Sequence, residues 1–229
     1  CGSWIALLDA DDWFAPGRLS ALLSGAFEHE FDFIADSYYL TRDQGASIHS
    51  SRFTTLSKPG TVTQFTIDSF VRYGLGSVKP LIKKSFLERT GIRFESSVWR
   101  GEDLLLFVTL LLNNARFGLL NTPLYIRTET PGSLSKSDTV KLLSDLLEVF
   151  GALQLLAIKT GNGSTAITKA LKYRATVVED SLAAARWQSW LKNFGRERLP
   201  NLSSLFNVLR HLWLRKKRFP TASVTYFDN

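Results

Sequence analysis

Methionine is absent from the 229 residues, and cysteine occurs once, as Cys1. A single thiol excludes an intramolecular disulfide, and with it a disulfide-stapled scaffold. No apolar run approaches the ~20 residues of a membrane span. No basic stretch precedes the first apolar run, as it would in a secretory signal. Internal repeats and low-complexity tracts are also missing, and no Ser and His are spaced as a nucleophile with its base. A reducing, cytosolic setting is therefore expected. The lack of methionine has a second reading. The chain opens on an apolar stretch that would need paired neighbours in a sheet, so it is expected to be a fragment without its N-terminal part.

What is present is ordinary for a globular protein: 45% hydrophobic and 21% charged residues. The length suits one large domain, or one domain with an appendage. The net charge of +7 favours nucleotides, nucleic acid or anionic lipid as partners.

The rest of the chain is best read against Trp4-Ile5-Ala6-Leu7-Leu8-Asp9-Ala10-Asp11-Asp12-Trp13. Five apolar residues bounded by a sharp polar change predict a short buried strand. Asp favours turns over strands and helices, so Asp9, Asp11 and Asp12 fall where the strand leaves the sheet. In open α/β sheets ligands bind at that carboxyl edge. Three carboxylates so close repel one another unless a cation compensates. A hard divalent ion is the natural one, since Mg2+ takes one or two carboxylates plus phosphate oxygens. The plainer alternative is a turn in which Asp12 or a neighbour caps a helix begun near Pro16. Capping needs one carboxylate, and three are present.

Leu19, Leu22, Leu23, Ala26 and Phe27 recur at helical spacing over 16–29. A strand is predicted from Phe31 through Leu40, then a polar loop over 41–60 with a short strand near Ile48. A short helix over 66–73 precedes Gly74-Leu75-Gly76, which reads as a turn and lacks the third glycine of a dinucleotide fingerprint. Val78 to Lys83 predicts a strand, with Pro80 implying an edge or a bulge. A helix over 85–90 closed by Gly91 comes next. Trp99-Arg100-Gly101-Glu102-Asp103 then opens an apolar helix, where the helix dipole favours acidic groups; Glu102 and Asp103 are thus either functional or simply an N-terminal cap. Two short strands are predicted over 116–120 and 123–127. From about 138 to 194 the pattern is helical, broken at Gly161-Asn162-Gly163. A last helix over about 202–218 carries Leu205, Phe206, Leu209, Leu212 and Trp213, then Arg215-Lys216-Lys217-Arg218. It reads either as a membrane-surface element or as a packed helix with a solvated basic end. No recognised nucleic-acid module accompanies the charge, so nucleic acid is not an expected partner. Trp187 and Trp190 read as helix-packing groups; Trp13 and Trp99 border the acidic motifs and suit either a sugar ring or burial.

The stretch from Ile5 to Trp13 with Pro16 and Leu19 resembles the DxD segment of family 2 glycosyltransferases. Trp99-Arg100-Gly101-Glu102-Asp103 resembles their Glu-Asp segment, and Pro131-Gly132-Ser133-Leu134-Ser135 their Pro-Gly-Ser loop. The resemblance covers residues 1–136 and is nearest in style to bacterial exopolysaccharide transferases of the succinoglycan type. It implies an α/β fold of the GT-A (Rossmann-like) kind, N-terminally truncated: a catalytic portion over 1–136 and a helical C-terminal extension over 137–229. It implies inverting transfer of a sugar from a nucleotide-diphosphate donor to the hydroxyl of a glycan or lipid-linked acceptor. By the same resemblance Asp9 orients the donor, Asp11 binds Mg2+ or Mn2+, Asp12 lies close by, Asp103 is the general base, and Glu102 supports the acceptor.

Two departures from the family pattern stand out. The nucleotide-base half is absent, so base-contacting residues have no counterpart here and the fragment alone is expected to be inactive. Many relatives also carry a metal-binding His after the last strand, where this chain reads Arg127-Thr128-Glu129-Thr130. Either Arg127 meets the diphosphate directly, as a guanidinium can, or the metal is held more loosely. Two other functions compete: a Mg2+-dependent phosphohydrolase, which would follow its Asp pair with Gly-Thr rather than Trp13-Phe14, and a non-catalytic scaffold held on anionic membrane by 202–218.

Overall fold

The structure is a computed structural model that describes residues 2–42, 47–129, 138–161, 163–192, 200–201, 204 and 206–210. In chain order its elements are β1 (Trp4–Ala6), β2 (Trp13–Phe14), α1 (Arg18–Glu28), β3 (Phe33–Thr41), β4 (Ile48–Arg52), β5 (Val62–Phe65) and α2 (Ile67–Tyr73). A 3-10 turn (Leu75–Ser77), β6 (Leu81–Lys83), α3 (Lys84–Thr90), α4 (Glu102–Leu112) and β7 (Phe117–Thr128) follow, and α5 (Thr139–Lys159) and α6 (Thr165–Lys192) come last. The Pro-Gly-Ser loop at 131–135 and the basic run at 215–218 lie outside the described residues.

The strands form one seven-stranded sheet in the order β1-β6-β3-β7-β2, with β4 added to β3 and β5 to β7. β3 runs parallel to β7 and antiparallel to β6. Side chains alternate across a strand, and β3 shows the result. Phe33 and Ala35 enter the main apolar cluster, while Ile34 enters a second one with Leu22 and Ala26 of α1. Both faces of the sheet are therefore covered by helix, which is the α/β expectation.

α4 fills the main cluster. Its buried residues Leu104, Leu106, Phe107, Val108, Leu110, Leu111 and Leu112 cover most of its circumference, with Leu105 and Thr109 partly buried on the remaining side, which marks a helix largely enclosed by protein. Phe33, Phe70 and Phe117 pack beside it, with ring centroids 4.7 Å apart for Phe33–Phe117 and 5.0 Å for Phe70–Phe117. Val149, Phe150 and Leu153 of α5 and Ile167, Ala170 and Leu171 of α6 join the same cluster. Each such Val, Leu, Ile or Phe side chain contributes about 1.5–3 kcal/mol when fully buried.

Several sequence expectations are corrected here. The strand before the acidic turn is not buried. β1 ends at Ala6 and lies at an edge of the described sheet, paired with β6 alone, so Ile5 is 39% and Leu8 51% exposed. β6, expected at an edge or with a bulge because of Pro80, is interior; Pro80 precedes the strand, and its carbonyl accepts from the Leu7 N–H. The two strands predicted over 116–127 are one. Between the pairs Asp36–Leu120 and Tyr38–Tyr125, β7 carries extra residues relative to β3. Pro123 sits in that bulge, where no ladder donor is required of it, and the Leu124 N–H donates to the Asp36 carboxylate instead.

The 3-10 turn packs directly on the start of α4. A Cβ on Gly76 would lie 2.7 Å from Leu104 Cδ1 and 2.9 Å from its Cβ. Gly76→Ala is therefore expected to lower stability by about 1–3 kcal/mol through overpacking, read as a lower urea midpoint at unchanged slope. An unchanged midpoint would contradict this packing.

Candidate active site

The acidic turn is docked onto β7 by a small set of hydrogen bonds. The Asp12 N–H donates to the Asp9 carbonyl at 3.1 Å and closes the turn. The buried Asp12 carboxylate accepts from the Tyr125 hydroxyl at 2.6 Å and from the Thr128 N–H at 2.8 Å. Thr128 Oγ1 donates to the Asp11 carbonyl at 2.6 Å, and the Asp9 N–H donates to Tyr125 Oη at 3.2 Å. Burial pushes the Asp12 carboxyl up, the bonds from Tyr125 and Thr128 pull it back, and the charges of Asp9 and Asp11 push it further up. Burial and the Asp12 bond likewise push the Tyr125 hydroxyl well up, so it stays a donor. Asp12 is thus held by the protein itself and does not cap α1. That helix starts instead at Gly17, with φ of 80° and no side-chain cap. Asp9 is partly exposed and Asp11 exposed.

Glu102 and Asp103 occupy the first turn of α4, whose N-cap is Gly101 at φ 81° with no side-chain cap bond. Only glycine adopts that backbone readily, and a Cβ there would also meet Leu146 of α5 at 2.9 Å. The helix start is therefore packed closely against α5. Burial raises the Glu102 carboxyl; its own backbone N–H and Lys79 oppose this, while Asp103 and Asp9 add to it.

The two acidic segments meet at a residue that sequence reasoning missed. Lys79 Nζ lies 2.6 Å from Asp103 Oδ2 and 2.9 Å from Asp9 Oδ1, with its side chain 10% exposed. Burial alone would lower this ammonium, but Asp103 and then Asp9 outweigh it, and the net shift is upward. Lys79 remains a cation wherever the two carboxylates are ionised.

Arg127 is on the same strand as Tyr125 and Thr128, with its guanidinium 5.9 Å from the centre of the Tyr38 ring. Burial opposes its charge, but Tyr38, Asp12 and Asp9 more than restore it. Of the residues singled out in the sequence, Asp9 and Asp103 are thus brought onto one cation. Asp12 and Arg127 are joined through β7, and Glu102 lies beside Asp103. Tyr125 and Thr128 carried no signal in the sequence. Lys79 carried a weak one, a lone cation in the apolar stretch around Leu75, Val78, Leu81 and Ile82.

Beneath the site is a buried ion pair. Arg18 donates to Asp36 from Nε at 3.0 Å and from Nη2 at 2.7 Å, and both side chains are fully buried. Arg18 Nη2 also donates to the Lys79 carbonyl at 2.5 Å, and its guanidinium lies 4.3 Å from the centre of the Phe14 ring. Among the described residues no three His, Cys, Asp or Glu side chains converge as an ion cage.

Residues 2–90, which hold the acidic turn and Lys79, match the sequence model of glycosyl transferase family 2. This segment is similar to members of that family. The chain is 33% identical over 157 residues to the succinoglycan biosynthesis protein ExoU of Rhizobium meliloti (strain 1021), covering 65% of this chain and 45% of that one. It is 27% identical over 143 residues to ExoO of the same organism, covering 59% and 40%. The chain thus spans less than half the length of these two relatives. The fold resembles TarS 1–349 of S. aureus in complex with UDP, at a TM-score of 0.54 and 15% identity, over all of this chain and 70% of that one. Against TarS 1–349 with UDP-GlcNAc the TM-score is 0.52 at 16% identity, over 92% and 56%. The fold is accordingly the GT-A fold expected from the resemblance.

Proposed function

We propose that this chain forms the acidic-turn and acceptor portion of an inverting family 2 glycosyltransferase of bacterial exopolysaccharide assembly. Its donor would be a nucleotide-diphosphate sugar and its acceptor a glycan or lipid-linked hydroxyl. The observation that carries the reading is the meeting of Asp9 and Asp103, from segments far apart in sequence, on Lys79. In this reading residues 1–136 are catalytic and 137–229 a helical extension that braces α4.

Asp103 accepts the proton of the acceptor hydroxyl, and Glu102 supports that acceptor. The acceptor oxygen bonds to the anomeric carbon as the carbon–oxygen bond to the diphosphate breaks on the opposite face, which inverts the centre. Asp9 orients the donor, and Arg127 meets the diphosphate oxygens. The residues fit a divalent cation held largely by phosphate, since such an ion needs one or two protein carboxylates, and Asp11 is the exposed one, with Asp12 committed to β7. Bound there, Mg2+ or Mn2+ would neutralise charge developing on the diphosphate.

The test is a panel of sugar-nucleotides offered to the full-length protein, reading nucleoside diphosphate release with and without Mn2+. Release dependent on one donor and on the metal is expected. Release of inorganic phosphate from a generic phosphoester, with no donor turned over, would favour the phosphohydrolase.

A peripheral membrane location has its own support. No helix among the described residues is long and apolar enough to cross a membrane. Phe206 is 70% and Leu209 57% exposed on the helical turn at 206–210, which Arg210 ties to Asp180 of α6. Exposed Phe and Leu ahead of a basic run suit an anionic surface. Deleting residues 202–229 from the full-length protein is expected to abolish co-sedimentation with anionic liposomes. Unchanged co-sedimentation would place the contact elsewhere.

A further inference from the structure

Lys79 is held more firmly than a solvent-facing lysine would be. It follows the 3-10 turn that Gly76 allows to press against Leu104, and buried Val78 and Pro80 flank it. Its carbonyl is fixed by Arg18, itself locked to Asp36. Its ammonium is nearly shielded from water and donates to one oxygen of Asp103. Burying an ammonium is unfavourable unless charges of opposite sign surround it. Here two do, one from each acidic segment.

Removing the cation has a direct consequence. Asp9 and Asp103 would face each other as like charges with no cation between them, and repulsion would push the two side chains apart. Such a displacement disables a base that must be aligned on the acceptor hydroxyl. We propose that Lys79 is a positioning residue that clamps Asp9 on the donor side to Asp103 on the acceptor side. It holds one Asp103 oxygen and leaves the other to receive the acceptor proton. This rests on the reading of Asp103 as the base given above. It adds that donor orientation and base alignment are coupled through a single ammonium.

The test uses the full-length protein with its donor and acceptor. Lys79→Met is expected to lower turnover at least about 100-fold, the scale of a misplaced catalytic group. Lys79→Gln, which keeps a neutral donor of similar reach, should fall nearly as far if charge matters. Lys79→Cys alkylated with 2-bromoethylamine rebuilds the ammonium and should return turnover to within about fivefold of the unsubstituted protein alkylated in the same way. Adding Asp9→Asn to Lys79→Met should cost little more, because the two act as one unit. Turnover of the Met and Gln variants within about fivefold of the original, with Asp103→Asn inactive, would overturn the clamp and leave the base in place. Failure of the alkylated variant to recover, or full additivity with Asp9→Asn, would also overturn it. Turnover retained by Asp103→Asn would remove the base itself, and the clamp with it.

Discussion

Asp103→Asn is expected to abolish sugar transfer while donor binding survives. Asparagine keeps the shape of aspartate, and its carbonyl oxygen can still accept from Lys79 Nζ, which lies 2.6 Å from the native carboxylate. What it lacks is a site for the acceptor proton. Loss of a general base typically lowers turnover by about 10²–10⁴-fold. The groups proposed to hold the donor lie on other elements: Asp9 and Asp11 on the turn after β1, Arg127 on β7. Donor affinity should therefore change by no more than a few fold. The pairing to measure is single-turnover transfer alongside calorimetric titration with donor. Transfer retained at the original rate would eliminate Asp103 as the base. Loss of donor binding together with transfer would instead make it a donor ligand.

Arg18→Met is expected to be the most destabilising substitution near the site. Methionine matches much of the length of the side chain but leaves Asp36 buried without its cation, a change that usually costs about 3–5 kcal/mol. It also removes the donor to the Lys79 carbonyl and the cation over Phe14. Adding Asp36→Leu should recover only part of the loss, because the Leu124 N–H then has no carboxylate to meet. The effect carries a pH signature. Burial raises the Asp36 carboxyl above its ordinary value, and in the native protein Arg18 pulls it part of the way back. Without Arg18 the folded-state value rises further. A carboxyl whose folded value exceeds its unfolded one stabilises the fold at low pH and loses that contribution as pH rises through the folded value. The deficit of Arg18→Met should thus be smallest in acid and grow as pH rises past the native value of Asp36, which already lies above that of a free carboxyl. Urea unfolding of both proteins across that range is the measurement, and a deficit independent of pH would mean that Asp36 is not buried as a charge.

The local periods of the sequence are enough for most of the elements. Leu22 and Ala26 at helical spacing give α1, the apolar stretch from Phe33 gives β3, and Leu104 to Leu112 give a helix largely enclosed by protein. These follow because a helix or strand presents its apolar face at a fixed repeat, whatever it packs against. The acidic turn after an apolar run, and Glu102-Asp103 at a helix start, are legible for the same reason. The family resemblance rests on those segments.

What only the tertiary structure decides is pairing between segments distant in the chain. Nothing in the stretch around Pro123 reveals that β7 runs through it, because the bulge exists only relative to β3, and the Leu124 N–H is satisfied by Asp36 from 88 positions away. The exposure of Ile5 depends on which strands flank β1, not on the residues of β1. Tyr125 reaches Asp12 across 113 positions, and Lys79 reaches Asp103 across 24 while also holding Asp9. Hydrogen bonds and ion pairs act over about 3 Å, so their partners are set by where the sheet and α4 bring the chain together. Sequence alone therefore identified the carboxylates, and the fold supplied the cation that joins them.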